Sequence, residues 1–186
     1  MDIAVTNRIG WVTIALGVII VTGCAGMTPQ GASTAIVREP LQDNTSMGWW
    51  SVRFQHDWPE GVSAAWHMDA LIAHRVVAPI LERYHDQVPL WRFHRRAARD
   101  RAGHRFSFIF YADSVSAQGV IDAVQNDPLV VELLQSGNVR RVSVDGNGQI
   151  TKTGIGHTSD QSWSPIIRDT WPYFIMGVSK TWLEMV

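Results

Sequence analysis

What most constrains this chain is a change of hydrophobic period, repeated in a set order from residue 48 onward. Residues 49–54 (WWSVRF) alternate, with Trp50, Val52 and Phe54 on one face, the two-residue period of a half-buried strand. Asp57-Trp58-Pro59-Glu60-Gly61 is turn chemistry. Residues 63–85 then place Trp66, Ala70, Ala73, Val77, Ile80 and Tyr84 on one helical stripe, and Pro79 should kink or end that helix. Trp91 and Phe93 alternate with Arg92 and His94 as a second strand. A third follows at 104–111, with Phe106, Phe108 and Phe110 on one face. Residues 114–135 return to helical period through Ile121, Val124, Leu129, Leu133 and Leu134, and Gly137 is the expected C-cap. A fourth strand is expected over 138–144. Asp145-Gly146-Asn147-Gly148 then turns the chain into a short strand near 150–153.

The order β-α-β-β-α-β predicts an α+β domain with the ferredoxin-like arrangement, a four-stranded antiparallel sheet carrying two helices on one face. A hairpin extension and an aromatic-rich helix complete it. In that last helix Ser162 and Pro165 mark the start, and Trp163, Ile167, Trp171, Phe174, Val178, Trp182 and Met185 recur at steps of three and four. Pro172 should bend it. The stripe is expected to cover the sheet face to which Trp49, Ile109 and Tyr111 point. The alternatives are docking to a partner or contact with a membrane interface, although Arg168, Asp169, Lys180 and Glu184 sum to no charge that would favour anionic lipid.

The N-terminal part has a different character. Residues 9–21 (IGWVTIALGVIIV) are apolar and uncharged. As a helix they would span about 20 Å, short of the ~30 Å hydrocarbon core, which is the length of a secretory h-region. Val21-Thr22-Gly23-Cys24 follows directly and resembles the lipobox of bacterial lipoproteins. The resemblance implies diacylation of the Cys24 sulfur, removal of a signal peptide at 1–23, and acylation of the new amino group. Ala25 in the second mature position resembles lipoproteins sorted to the outer membrane, facing the periplasm. Cys24 is the only cysteine, so no intrachain disulfide framework exists. Residues 24–46, rich in Gly, Pro, Ser, Thr, Gln and Asn, read as the lipidated Cys and a flexible tether reaching about 25 Å, and 47–186 as a single domain.

Of the 186 residues 46% are hydrophobic, enough to exclude disorder by composition, and 16 Lys+Arg against 17 Asp+Glu exclude a strongly basic nucleic-acid binder. Charge is instead local. Arg92, His94, Arg95, Arg96, Arg99, Arg101, His104 and Arg105 crowd one stretch opposed only by Asp100. In the expected topology the end of the first strand (His56, Asp57), the start of the fourth (Arg140, Arg141) and the first helix N-terminus meet that stretch at one pole. A pole built from Arg92, His94, Arg95, Arg96, Arg99, His104, Arg140 and Arg141 suits a small anion or an acidic envelope protein. The simpler alternative is a solvated turn whose arginines pair with nearby carboxylates and carbonyls.

No catalytic signature with a fixed spacing is present, and no cofactor is expected. Gly154-Ile155-Gly156-His157 lacks the third glycine of a phosphate loop and reads as a hairpin exit. Among seven histidines, His67 and His74 would lie about 10 Å apart along one helix, too far to share an ion. A metal set of His56, Asp57, His94 and His104 at the cationic pole is the alternative, opposed by the surrounding arginines. The expectation is therefore a membrane-anchored, non-enzymatic binding or assembly module of the envelope. Its working surface would be the pole or the aromatic helix. An envelope enzyme or metal-binding factor is the second reading.

Overall fold

A computed structural model describes residues 46–145 and 150–186. The signal peptide expected at 1–23 and the tether expected at 24–46, apart from Ser46, lie outside those residues, Cys24 among them, as do residues 146–149. The described chain runs β1 (Met47–His56), α1 (Trp66–Ile72), a π-helical turn (Ala73–Val77), α2 (Ala78–Arg83), β2 (Leu90–Ala97), β3 (His104–Asp113), α3 (Ser114–Gln125), α4 (Pro128–Gln135), β4 (Val139–Val144), a 3-10 turn (Ile155–Thr158) and α5 (Pro165–Met185). Strand order is β2-β3-β1-β4 with every neighbour antiparallel, so the fold is α+β of ferredoxin-like type. No helix among the described residues is long and apolar enough to cross a membrane.

The period-2 faces sort as the sequence predicts. Trp50, Val52, Phe54, Phe106, Phe108, Phe110 and Phe93 are buried with Ile72, Val76 and Val77 from the first helical stretch and Val120, Val124 and Val130 from the second. Trp50 is also anchored by its indole N–H, which donates to the Ala112 carbonyl at 3.0 Å.

Proline placement explains where the helices depart from the expected spans. Pro79 does not end the first one, because the backbone widens just before it. The Ala78 N–H bonds to the Ala73 carbonyl, five residues back, and this π turn absorbs a residue that cannot donate. The single helix expected at 114–135 is instead two. Asp127 takes extended geometry ahead of Pro128, and its carboxylate accepts the Leu129 N–H to cap α4. Gly137 closes α4 at φ +77°, as a C-terminal glycine should.

Two further expectations are corrected. Residues 150–153 form no strand; the segment joins the sheet through a bond from the Trp49 N–H to the Lys152 carbonyl, at 2.9 Å. The second sheet face is covered not by α5 but by residues 150–158. There the Trp49 indole donates to the carbonyls of Gly154 and Ile155, and the Tyr111 hydroxyl to that of Thr153. α5 lies against the β2 edge, where Ser179 Oγ accepts the Phe93 N–H at 3.0 Å and Trp182 packs on Phe93 and Phe106. An edge strand presents unpaired backbone groups, and this contact satisfies one of them. The helix stays continuous through Pro172. The Arg168 carbonyl that Pro172 cannot reach accepts the Ser159 hydroxyl at 2.7 Å instead.

Candidate functional site

At the pole where β1 ends and β3 begins, three titratable side chains converge in the interior. His56 is the last residue of β1 and His104 the first of β3, both on the helix-facing side of the sheet, so their rings meet with centroids 4.4 Å apart. Asp69 projects onto them from the first turns of α1. His56 Nε2 lies 3.0 Å and His104 Nε2 3.1 Å from the same oxygen, Asp69 Oδ1. The three residues have at most 2% of their surface exposed. Neither approach is aligned as an N–H···O hydrogen bond, so Asp69 Oδ1 and all four imidazole nitrogens are without a hydrogen-bond partner among the described residues.

The other carboxylate oxygen is occupied. Arg95 Nε donates to Asp69 Oδ2 at 3.0 Å, and its guanidinium is held over the rings of Trp66 and Trp182 at 4.9 and 4.7 Å. Trp66 and Trp58 also stand edge-on to the His104 ring. Burial pushes the Asp69 carboxyl upward, but His56, Arg95 and His104 outweigh it and hold the group below the ordinary carboxylate range. His104 lies below the usual imidazole range, chiefly from burial, with His56 and Arg95 adding to the shift against the pull of Asp69.

Above the two histidines opens a pocket of about 440 Å³. Its floor is His56 and His104, one wall is Trp58, and Arg99, Arg101, Arg140, Glu60 and Asp100 line the rest. A register shift between β1 and β4 shapes it. Gln55 faces Arg141 and His56 faces Val139, so Arg140 is the extra residue of a bulge and belongs to the pocket lining. Gly103, at φ +60°, makes the tight turn that returns the chain to His104.

Strand alternation divides the expected cationic set. Arg95, Arg99, His104 and Arg140 surround the site, with Arg95 spent on Asp69 and Arg99 donating to the carbonyls of Trp58, Pro59 and Val62. Arg92, His94, Arg96 and Arg141 fall on the opposite sheet side. There Arg92 donates to Thr158, Arg96 pairs with Asp100 and Arg141 reaches Gln55. Burial and the like charges of Arg92, Arg105, Arg96 and Arg53 lower the His94 pKa. The expected metal set is therefore corrected: His56 and His104 do meet, but His94 points away, and Asp57 lies at the surface 3.7 Å from Arg140. Asp69 takes the place of Asp57. Its signal in the sequence is a carboxylate on a buried helical stripe, since Asp69, Ile72, Ala73, Val76, Val77 and Ile80 follow steps of three and four. His67, His74 and His85 are exposed and not brought together.

No protein-family model and no curated protein matches the chain. Among solved structures it is similar to the hydroxynitrile lyase from Passiflora edulis, at 13% identity over 54% of this chain and 90% of that one, with a TM-score of 0.30. A likeness that low carries no argument for this chain.

Proposed function

We propose that this chain is a lipoprotein of the bacterial envelope, held in the bilayer by acylated Cys24, whose domain is a binding module for a small anionic ligand at the pole pocket. The pocket is the observation that carries the ligand reading. It has the volume of a small-molecule site, an aromatic wall and a polar floor, and three guanidiniums in its lining stand against two carboxylates. Arg101 has no ion-pair partner among the described residues, and Arg140 is only loosely engaged by Asp57, so both remain free to meet an anion. The lipobox supports the anchor, and Ala25 in the second mature position supports the outer-membrane, periplasm-facing location.

The test is a thermal-shift series on the full chain in detergent against inorganic phosphate and small di- and tricarboxylates. A ligand at a hundred times its dissociation constant adds about 2.7 kcal/mol. The expected hit weakens in Arg101→Ala/Arg140→Ala and with rising salt; a midpoint unmoved by every anion removes the ligand reading. Cys24→Ala should abolish acyl labelling and leave the precursor unprocessed, and continued labelling refutes the anchor.

A second reading, docking of an envelope protein on α5, is favoured by its exposed apolar side. Ile166, Ile167, Tyr173, Phe174, Val178 and Met185 remain accessible after the helix has packed.

A further inference from the structure

We propose that His56, Asp69 and His104 are the protein ligands of one divalent transition-metal ion of zinc-like character, buried beneath the pole pocket that both histidines line. The proposal deepens the ligand-binding reading, because the ion would be what grips the anionic group.

Donor chemistry comes first. Two imidazoles and one carboxylate make a borderline N2O set suited to zinc and its first-row neighbours, and poorly suited to calcium or magnesium, which take oxygen. The three donors come from β1, α1 and β3, so the fold rather than a local loop brings them together.

Spacing comes second. The two Nε2···Oδ1 separations are 3.0 and 3.1 Å. Ligands bonded at about 2.0–2.1 Å to one ion stand about 2.9 Å apart when octahedral and about 3.3 Å when tetrahedral, and the observed values lie in that interval. The ligand atoms lie within 4.8 Å of one another. A tetrahedral ion with bonds of that length holds its donors about 3.3 Å apart, so binding would draw the most distant pair together by up to about 1.5 Å.

The unpaired atoms are the third observation. A fully buried imidazole ordinarily has a hydrogen-bond partner, yet neither ring has one among the described residues, and Asp69 Oδ1, the point on which both converge, has none either. Arg95 takes Oδ2 and leaves Oδ1 to coordinate, the support that a ligating carboxylate commonly receives.

Charge then points to the pocket. A dication beside one carboxylate and Arg95 carries a surplus of positive charge, which hydroxide or an anionic ligand entering through the pocket would offset. Both Nδ1 atoms lack an acceptor, which costs on the order of 10- to 100-fold in affinity. Micromolar rather than nanomolar binding is therefore expected.

The full chain in detergent, stripped with chelator, is titrated with Co2+. One equivalent should bind with visible ligand-field bands, and Zn2+ should displace it at one equivalent. His104→Gln should lose the bands and weaken binding at least 100-fold while keeping its circular dichroism, and His94→Ala should keep both. If the variant fails to fold, imidazole 15N shifts of His56 and His104 in the unmutated chain on Zn2+ addition decide instead. Absent bands, unmoved shifts or Co2+ binding that survives in a folded His104→Gln overturns the proposal. Inorganic phosphate separates the two readings. Phosphate binding to a metal-free chain that ignores Co2+ leaves the pocket and removes the ion, whereas Co2+ binding with a spectrum indifferent to phosphate leaves the ion and removes the anion site.

Discussion

Asp69 is the residue on which most of the pole depends, because one carboxylate faces His56, His104 and Arg95 at once. Asp69→Ala would leave two buried imidazoles together and Arg95 without its counter-charge. Removing one member of a buried charged cluster costs about 3–5 kcal/mol, so the unfolding free energy from urea denaturation is expected to fall by about that much. Asp113 is a contrasting single residue. Burial raises its carboxyl pKa, but bonds from the Ser116 hydroxyl and the N–H groups of Ser116 and Val115 outweigh burial and set it below the ordinary 3.8. A group depressed in the folded state stabilises it above the unfolded pKa, and that contribution is lost as pH falls through the folded value. Asp113→Ala should therefore cost about 1 kcal/mol at neutral pH and progressively less below pH ~4, measured as unfolding free energy against pH.

Elements in this fold are joined by hydroxyls placed where a backbone group would otherwise be orphaned. Ser159 satisfies the Arg168 carbonyl that Pro172 leaves free in α5. Ser159→Ala should lower stability by about 1–3 kcal/mol, and Pro172→Ala in that background should recover part of the loss by restoring a helical donor. The same segment needs Gly156. A β-carbon there would come within 2.6 Å of Asp169 Oδ1 and 3.2 Å of the Arg168 backbone, so any side chain at 156 would push α5 and the 3-10 turn slightly apart. Ser179 does for β2 what Ser159 does for α5. In Ser179→Ala the Phe93 amide should exchange its hydrogen markedly faster, with the β3 amides unchanged.

On the scale of the whole molecule the sheet is unevenly held. β1 and β3 are central and bury aromatic residues along their length, whereas β4 pairs only with β1, is six residues long and exposes Arg140 and Arg141. Its amides are expected to lose protection at lower denaturant than those of β1 and β3, read by native-state hydrogen exchange. Arg140 reaches the pocket through the β1–β4 bulge, so loosening this strand would also loosen the candidate ligand site.

Strand faces were legible because they depend on period alone. The helical stripes were legible only in part, since Ala73, Val77 and Ile80 are buried as expected but Trp66 and Leu134 are exposed and Ile72 and Val76 join the core. Trp50, Val52 and Phe54, or Phe106, Phe108 and Phe110, must share a side of any strand they form, and the order of elements then admits few sheets. The pole was legible for the same reason: once β1 and β3 are strands, His56 and His104 come to one end. Other features depend on which groups face each other across the fold. That Asp69 rather than the expected Asp57 is the carboxylate rests on how α1 docks on the sheet, because a helical face takes its meaning from the surface it covers. The arginine run 92–105 looked like one patch, but a strand sends alternate side chains to opposite sides, and pairing with β3 settles which of them reach the pocket. α5 likewise carries an apolar stripe whatever it touches. That it lies along the β2 edge, leaving the second sheet face to residues 150–158, rests on Ser179, Trp182 and Gly156 meeting partners far away in the chain, a complementarity of shape that no local pattern encodes.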